Sequence, residues 1–99
     1  MKAEALFRTG QETGALEIVN EIREVRDVEP LSGLNLEILL NVRGRELYWE
    51  GHRRQYLIRY GEFLGSWTLK EPSTAQYLIY PIPPADVLAN PNLNQNPGY

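Results

Sequence analysis

Leu34-Asn35-Leu36-Glu37-Ile38-Leu39-Leu40-Asn41-Val42-Arg43 is the stretch on which the fold class turns. Leu34, Leu36, Ile38, Leu40 and Val42 occupy every second position, with Asn35, Glu37, Leu39, Asn41 and Arg43 between them. An extended chain points successive side chains to opposite faces, so five apolar residues at period two predict a half-buried strand. A firm stop precedes it at Glu29-Pro30-Leu31-Ser32-Gly33, because proline cannot donate to a central ladder and glycine tolerates positive φ. Arg43-Gly44 then reads as a tight turn.

Downstream the same rhythm continues. Glu46–Glu50 reads as a strand around Leu47, Tyr48 and Trp49, broken by Gly51-His52. Gln55–Tyr60 follows, with Tyr56, Ile58 and Tyr60 on one face. Gly61-Glu62 makes a turn, Phe63–Leu69 a short strand interrupted by Gly65, Pro72-Ser73 a stop, and Ala75–Ile82 a last strand. Turn signals every 8–12 residues between strand-like runs predict a mainly β fold, a small antiparallel barrel or sandwich.

Upstream, Ala5, Leu6 and Phe7 form a short apolar run, and Thr9-Gly10-Gln11-Glu12-Thr13-Gly14 reads as a loop. Ala15–Val28 supports two readings. Leu16 and Ile18 alternate as in a strand, whereas Ile18, Ile22 and Val25 keep helical spacing. The β-branched residues lean it toward a strand with a bulge, with a short helix as the alternative.

From Pro81 the composition changes: Pro81, Pro83, Pro84, Pro91 and Pro97 punctuate a stretch with Asn90, Asn92, Asn94 and Asn96 at every second place. Such a tail buries too little apolar surface to order itself. The expected organisation is one domain over 1–82 and an extended arm over 83–99. The arm is long enough, at ~50 Å when extended, to lie along a neighbouring subunit through Pro83, Pro84, Pro91, Asn92, Asn94, Pro97 and Tyr99.

The 99 residues carry a net charge of −3 and no cysteine, which argues against a disulfide-stapled secreted scaffold. No signal peptide is visible, and the longest apolar run, Ile38–Val42, falls short of a membrane span, so no membrane partner is expected and the setting reads as cytoplasmic unless a family says otherwise. A domain of about 80 residues buries only ~60–65% of its unfolded surface, which makes oligomerisation a plausible source of stability. Catalysis has few resources. His52 is the one histidine, no thiolate exists, Ser32, Ser66 and Ser73 sit in turns, and Glu46/Glu50 and Glu17/Glu21/Glu24 have arginines nearby. The glycines do not form a phosphate loop. Neither an enzyme nor a bound cofactor or metal is expected.

Arg43, Arg45, Arg53, Arg54 and Arg59 stand against only Glu46 and Glu50, interleaved with Tyr48, Trp49, Tyr56 and Tyr60. Basic residues among aromatics are how small barrels hold single-stranded nucleic acid, although an overall acidic chain is atypical of such binders. These arginines are the expected DNA-facing or partner-facing residues.

Arg23-Glu24-Val25-Arg26-Asp27-Val28-Glu29-Pro30-Leu31-Ser32-Gly33 and His52-Arg53-Arg54-Gln55-Tyr56-Leu57-Ile58-Arg59-Tyr60 together resemble segments of tailed-phage head–tail adaptor, or head-closure, proteins. The resemblance implies a ring-forming homo-oligomer in the virion neck that bridges portal or adaptor and tail, with non-specific contact to passing DNA. A late strand pair with a Gly-Arg turn, usual in that family, has no match, and Arg43-Gly44-Arg45 precedes the histidine segment. The second expectation is a monomeric β-barrel module for single-stranded nucleic acid.

Overall fold

The computed structural model describes residues 1–99, and its elements are helices. They are α1 (Lys2–Arg8), α2 (Glu12–Val25), α3 (Leu36–Glu46), α4 (Arg53–Tyr60) and α5 (Pro84–Ala89), with a single 3-10 turn at Ala75–Leu78. The one β pairing is an isolated antiparallel bridge between Trp67 and Lys70. The expected barrel or sandwich is overturned. The chain forms two compact units, Met1–Arg53 and Arg54–Tyr99.

The deciding stretch is α3. Asn35 is extended, at φ −144° and ψ 174°, and its side chain accepts the Ile38 N–H at 2.7 Å. That is an N-cap, and it satisfies one of the donors a helix leaves open at its start. Glu37 lies in the first turn and Arg43 and Arg45 in the last, matching the peptide dipole. Period-two counting put Leu39 on the polar face. In the helix Leu39, Leu40 and Arg43 share one buried side. The adjacent Leu39-Leu40 pair is the mark that alternation cannot accommodate and a helix can.

Residues 15–28 resolve toward the helical alternative. Ala15 and Val19, four apart, are both buried, so helical spacing prevails over the β preference of Val and Ile. The helix ends in a Schellman motif: Asp27 takes φ 58°, its N–H donates to Glu24 O at 3.0 Å, and the Val28 N–H donates to Arg23 O at 2.9 Å. The same device joins α1 to α2. Gly10, at φ 81°, donates to Phe7 O and Gln11 donates to Leu6 O at 2.9 Å. Glu12, Thr13 and Gly14, expected in a loop, are already helical.

Gly14 is not demanded by geometry there. A Cβ at that position would lie 3.6 Å from Leu6 Cδ1, an ordinary contact. Gly14→Ala is therefore expected to raise stability by about 0.5–1 kcal/mol through helix propensity, read as a shifted denaturant midpoint with an unchanged slope.

The stop at 29–33 is real, but side chains hold it. The Asn20 amide accepts the Leu31 N–H at 2.8 Å and donates to Leu31 O at 3.0 Å, reproducing the two hydrogen bonds of an antiparallel pair. One helical turn on, Arg23 Nε donates to Glu29 O at 2.6 Å. Two α2 residues thus fix the loop that delivers Asn35 to its capping position.

Arg26 and Glu46 close the far ends of α2 and α3 with paired hydrogen bonds of 3.3 and 2.9 Å. The hydrogen bond from Arg26 is the main reason the Glu46 carboxyl titrates below its usual range. A depressed folded value means the stabilisation is present above the unfolded carboxylate value and is lost as pH falls through the folded one. Glu46→Gln is expected to lower stability measurably at neutral pH and low salt. The gap to the parent should close in acid, below the ordinary carboxylate range, and shrink in high salt. Denaturant midpoints across pH check this.

In the second unit, Tyr56 and Leu57 of α4 are buried. Gly61, at φ 78°, ends the helix with another Schellman pair, Glu62 N–H to Leu57 O at 2.9 Å and Gly61 N–H to Ile58 O at 3.0 Å. Gln55–Tyr60, expected as a strand, is helix because Tyr56 and Leu57 are adjacent on its buried side. Phe63–Leu69 forms turns, and Ala75–Ile82 is a 3-10 turn followed by extended chain.

The segment expected as an extended arm contains α5, entered through Pro83 and Pro84, where a fixed φ and a missing N–H cost a helix nothing. Its end runs back along 76–82. The Gln95 amide accepts the Ile82 N–H and donates to Ile82 O, both at 2.8 Å, and Asn96 Nδ2 donates to Tyr80 O at 2.6 Å. The Tyr99 hydroxyl lies 3.1 Å from both Gln76 O and Ile79 O.

Candidate functional site

The arginines singled out in the sequence do not make one basic face. Arg43 is buried on α3, 3.4 Å from the equally buried Glu4 of α1, which Arg8 also meets at 3.0 Å. Arg45 is exposed in the last turn of α3, and Arg53 is exposed at the start of α4. Arg59 is exposed, its guanidinium 5.9 Å from the Tyr60 ring. Arg54 is half-buried and committed to its own surroundings.

Those surroundings are aromatic. The Arg54 guanidinium lies 4.0 Å from the Tyr80 ring centroid and 5.2 Å from that of Phe63, and it donates to Tyr77 O at 2.7 Å. A planar cation packs on ring faces through the ring quadrupole while its edge still donates. With Ser73, Ile79 and Tyr99 these residues line an open cleft of about 290 Å³. Tyr77, Tyr80 and Tyr99 keep 49%, 66% and 46% of their surface exposed, so ring area faces solvent beside fixed polar groups.

Of the proposed arm residues, Pro83 and Pro84 open α5 and Tyr99 hydrogen-bonds to 76–79. The Asn92 N–H donates to Asn90 Oδ1 at 3.0 Å, and Pro91, Asn94 and Pro97 lie exposed. Phe63, Tyr77 and Tyr80 were not singled out as site residues, since no periodic signal sets cleft-lining aromatics apart from core ones.

A second aromatic surface stands on the connection after α3. Leu47–Glu50 is a turn closed by the Glu50 N–H on Leu47 O at 3.2 Å, with Tyr48 and Trp49 at its centre. Trp49 sits at the third position with φ 68°, where turns of this kind want glycine or asparagine. A left-handed conformation costs a bulky residue about 1–2 kcal/mol. Burial does not offset it, because Trp49 is 90% exposed and Tyr48 75%. Their ring centroids are 5.9 Å apart and the planes cross at 51°.

The carboxylates Glu17, Glu21, Glu24, Asp27 and Glu29 gather along a shallow groove beside α2, of about 730 Å³. No cluster of three or more His, Cys, Asp or Glu has an arrangement suited to holding a metal ion. No helix is long and apolar enough to cross a membrane. Aromatic faces flanked by hydrogen-bonding groups equip the chain to recognise a ligand with alternating apolar and polar faces.

Similarity to known proteins adds to this geometry. A model of the SusD family matches residues 1–77. The chain is 35% identical over 108 residues to the starch-binding protein SusD of Bacteroides thetaiotaomicron, covering 99% of this chain and 19% of that protein. It is 30% identical over 112 residues to a SusD-like protein of Formosa agariphila, covering 100% of this chain and 22% of that one. The chain thus spans about a fifth of the length of the curated relatives it matches.

These matches overturn the resemblance to head-closure proteins, and with it the neck connector, the ring of identical subunits, the portal and tail partners and the virion or cytoplasmic setting. The helical fold and the family together remove the single-strand-binding barrel. The segments that carried the resemblance have local explanations. Glu29–Gly33 is a loop tied down by Asn20 and Arg23, and His52–Tyr60 is the entry and body of α4. Both are short enough to recur for reasons of turn chemistry alone. With 77 of its 99 residues matched by the family model, the chain belongs to the SusD family.

Proposed function

We propose that the chain forms part of an outer-membrane-associated protein that binds carbohydrate, starch-like glucan being the first candidate, and does no chemistry on it. The observation that carries this reading is the 35% identity, along essentially the whole chain, to a protein named for binding starch. A binding role also agrees in coarse terms with the scarcity of catalytic groups in the sequence. The exposed aromatics support it physically. A pyranose ring presents C–H groups on its faces and hydroxyls on its rim, so it packs against an aromatic face while donors and acceptors meet the rim.

Affinity electrophoresis through gels containing soluble starch tests the reading, alongside an assay for newly released reducing ends. Retardation without release of reducing ends is the expected result. Mobility unaffected by starch and by a panel of other polysaccharides overturns it.

A further inference from the structure

We propose that residues 95–99 form a latch that opens and closes as a unit over residues 76–82, carrying one wall of the Arg54 cleft with it. The inference goes beyond the carbohydrate reading and does not rest on it.

Side chains hold the latch shut where a strand would otherwise pair. The Ile82 N–H, Ile82 O and Tyr80 O belong to residues two apart, so in extended chain they face one edge. Gln95 meets both Ile82 groups at 2.8 Å, and Asn96 Nδ2 donates to Tyr80 O at 2.6 Å. Gly98 then brings the chain against Gln76. It takes φ 94°, and a Cβ there would lie 2.7 Å from Gln76 Cβ, so conformation and space both call for glycine. That close approach delivers the Tyr99 hydroxyl to within 3.1 Å of Gln76 O and Ile79 O. It also makes Tyr99 part of the cleft lining, with Tyr77 and Tyr80.

The latch is closed by hydrogen bonds and hardly at all by packing. No residue of 91–99 is buried, whereas α4 of the same unit buries Tyr56 and Leu57. A segment with little buried apolar surface opens at a smaller free energy than the fold it lies on. Residues 95–99 therefore release while α4 stays folded. Release withdraws Tyr99 from the cleft and turns the Ile82 amide to water.

The experiment is native-state hydrogen exchange, read residue by residue by NMR on the full chain, for the parent, Gly98→Ala and Gln95→Glu. In the parent, the Ile82 amide should exchange faster than the α4 amides and show little dependence on low denaturant. Gly98→Ala should quicken Ile82 about tenfold and leave α4 unchanged, since it forces a side chain into a left-handed, crowded position. Gln95→Glu tests the clamp itself. An ionised carboxylate accepts the Ile82 N–H but cannot donate to Ile82 O, and a protonated one can do both. Its Ile82 rate, relative to the parent at the same pH, should be raised at neutral pH and return toward unity in acid. An unchanged Ile82 rate in Gly98→Ala overturns the latch. Equal quickening of Ile82 and α4 in either variant overturns it too, because residues 95–99 would then unfold only with the whole unit. So does an Ile82 amide in the parent that follows α4 in its denaturant dependence. A Gln95→Glu ratio that does not move with pH overturns the amide clamp.

Discussion

Replacing Arg43 with alanine is expected to destabilise the Met1–Arg53 unit by about 3 kcal/mol, the low end of what breaking a buried ion pair costs. The Glu4 and Arg43 side chains are only 7% and 10% exposed, and they stand 3.4 Å apart. Removing the arginine takes one cation from a buried carboxylate that keeps Arg8, a partly exposed partner, at 3.0 Å. That residual pairing keeps the loss below the upper end of the range. The double variant Glu4→Gln with Arg43→Met should recover part of the loss, because it removes the stranded charge as well as the pair. Denaturant unfolding of Glu4→Gln, Arg43→Met and the double gives the coupling directly. A loss under about 1 kcal/mol for Arg43→Ala would show that α1 and α3 do not depend on this pair.

The second large effect is expected at Arg54. Arg54→Ala removes two cation–π contacts and a charged hydrogen bond to Tyr77 O, which together are worth about 2–4 kcal/mol to the Arg54–Tyr99 unit. Arg54→Lys keeps the charge but not the planar stack or the fork of donors, so it should recover less than half of that. Two readouts separate this from general unfolding. Near-UV circular dichroism should lose tyrosine signal, and hydrogen exchange should quicken at Ile79 and Ile82. Amides in α2 should stay protected.

Much of the punctuation was legible. Gly10, Gly61 and Pro30 mark real breaks, because positive φ and a missing N–H act on the chain locally whatever surrounds it. The type of element between the breaks was read wrongly. Leu34–Arg43 satisfies period two and a helical face at once, and the strand reading took no account of Asn35 as an N-cap or of the adjacent Leu39-Leu40 pair. For the candidate site, the sequence offered arginines and aromatics but not their company. It grouped Arg43 with Arg54, whereas the structure commits one to Glu4 and the other to Tyr80 and Phe63.

By itself the sequence marked several of the places where the chain turns, although the turn read at Arg43-Gly44 lies inside α3, and it showed how few groups these residues have for chemistry. It also contained the helix signals, in a capping asparagine and in acids and bases at the proper ends of α3. Only the tertiary structure decided which apolar residues share a side, that Asn20 and Gln95 stand in for backbone partners at Leu31 and Ile82, and that one arginine of five is internal. The physical reason is range. Turn and capping preferences are settled within a few residues, while a buried ion pair or an amide clamp joins positions 11 to 39 residues apart, and local periodicity carries no record of it.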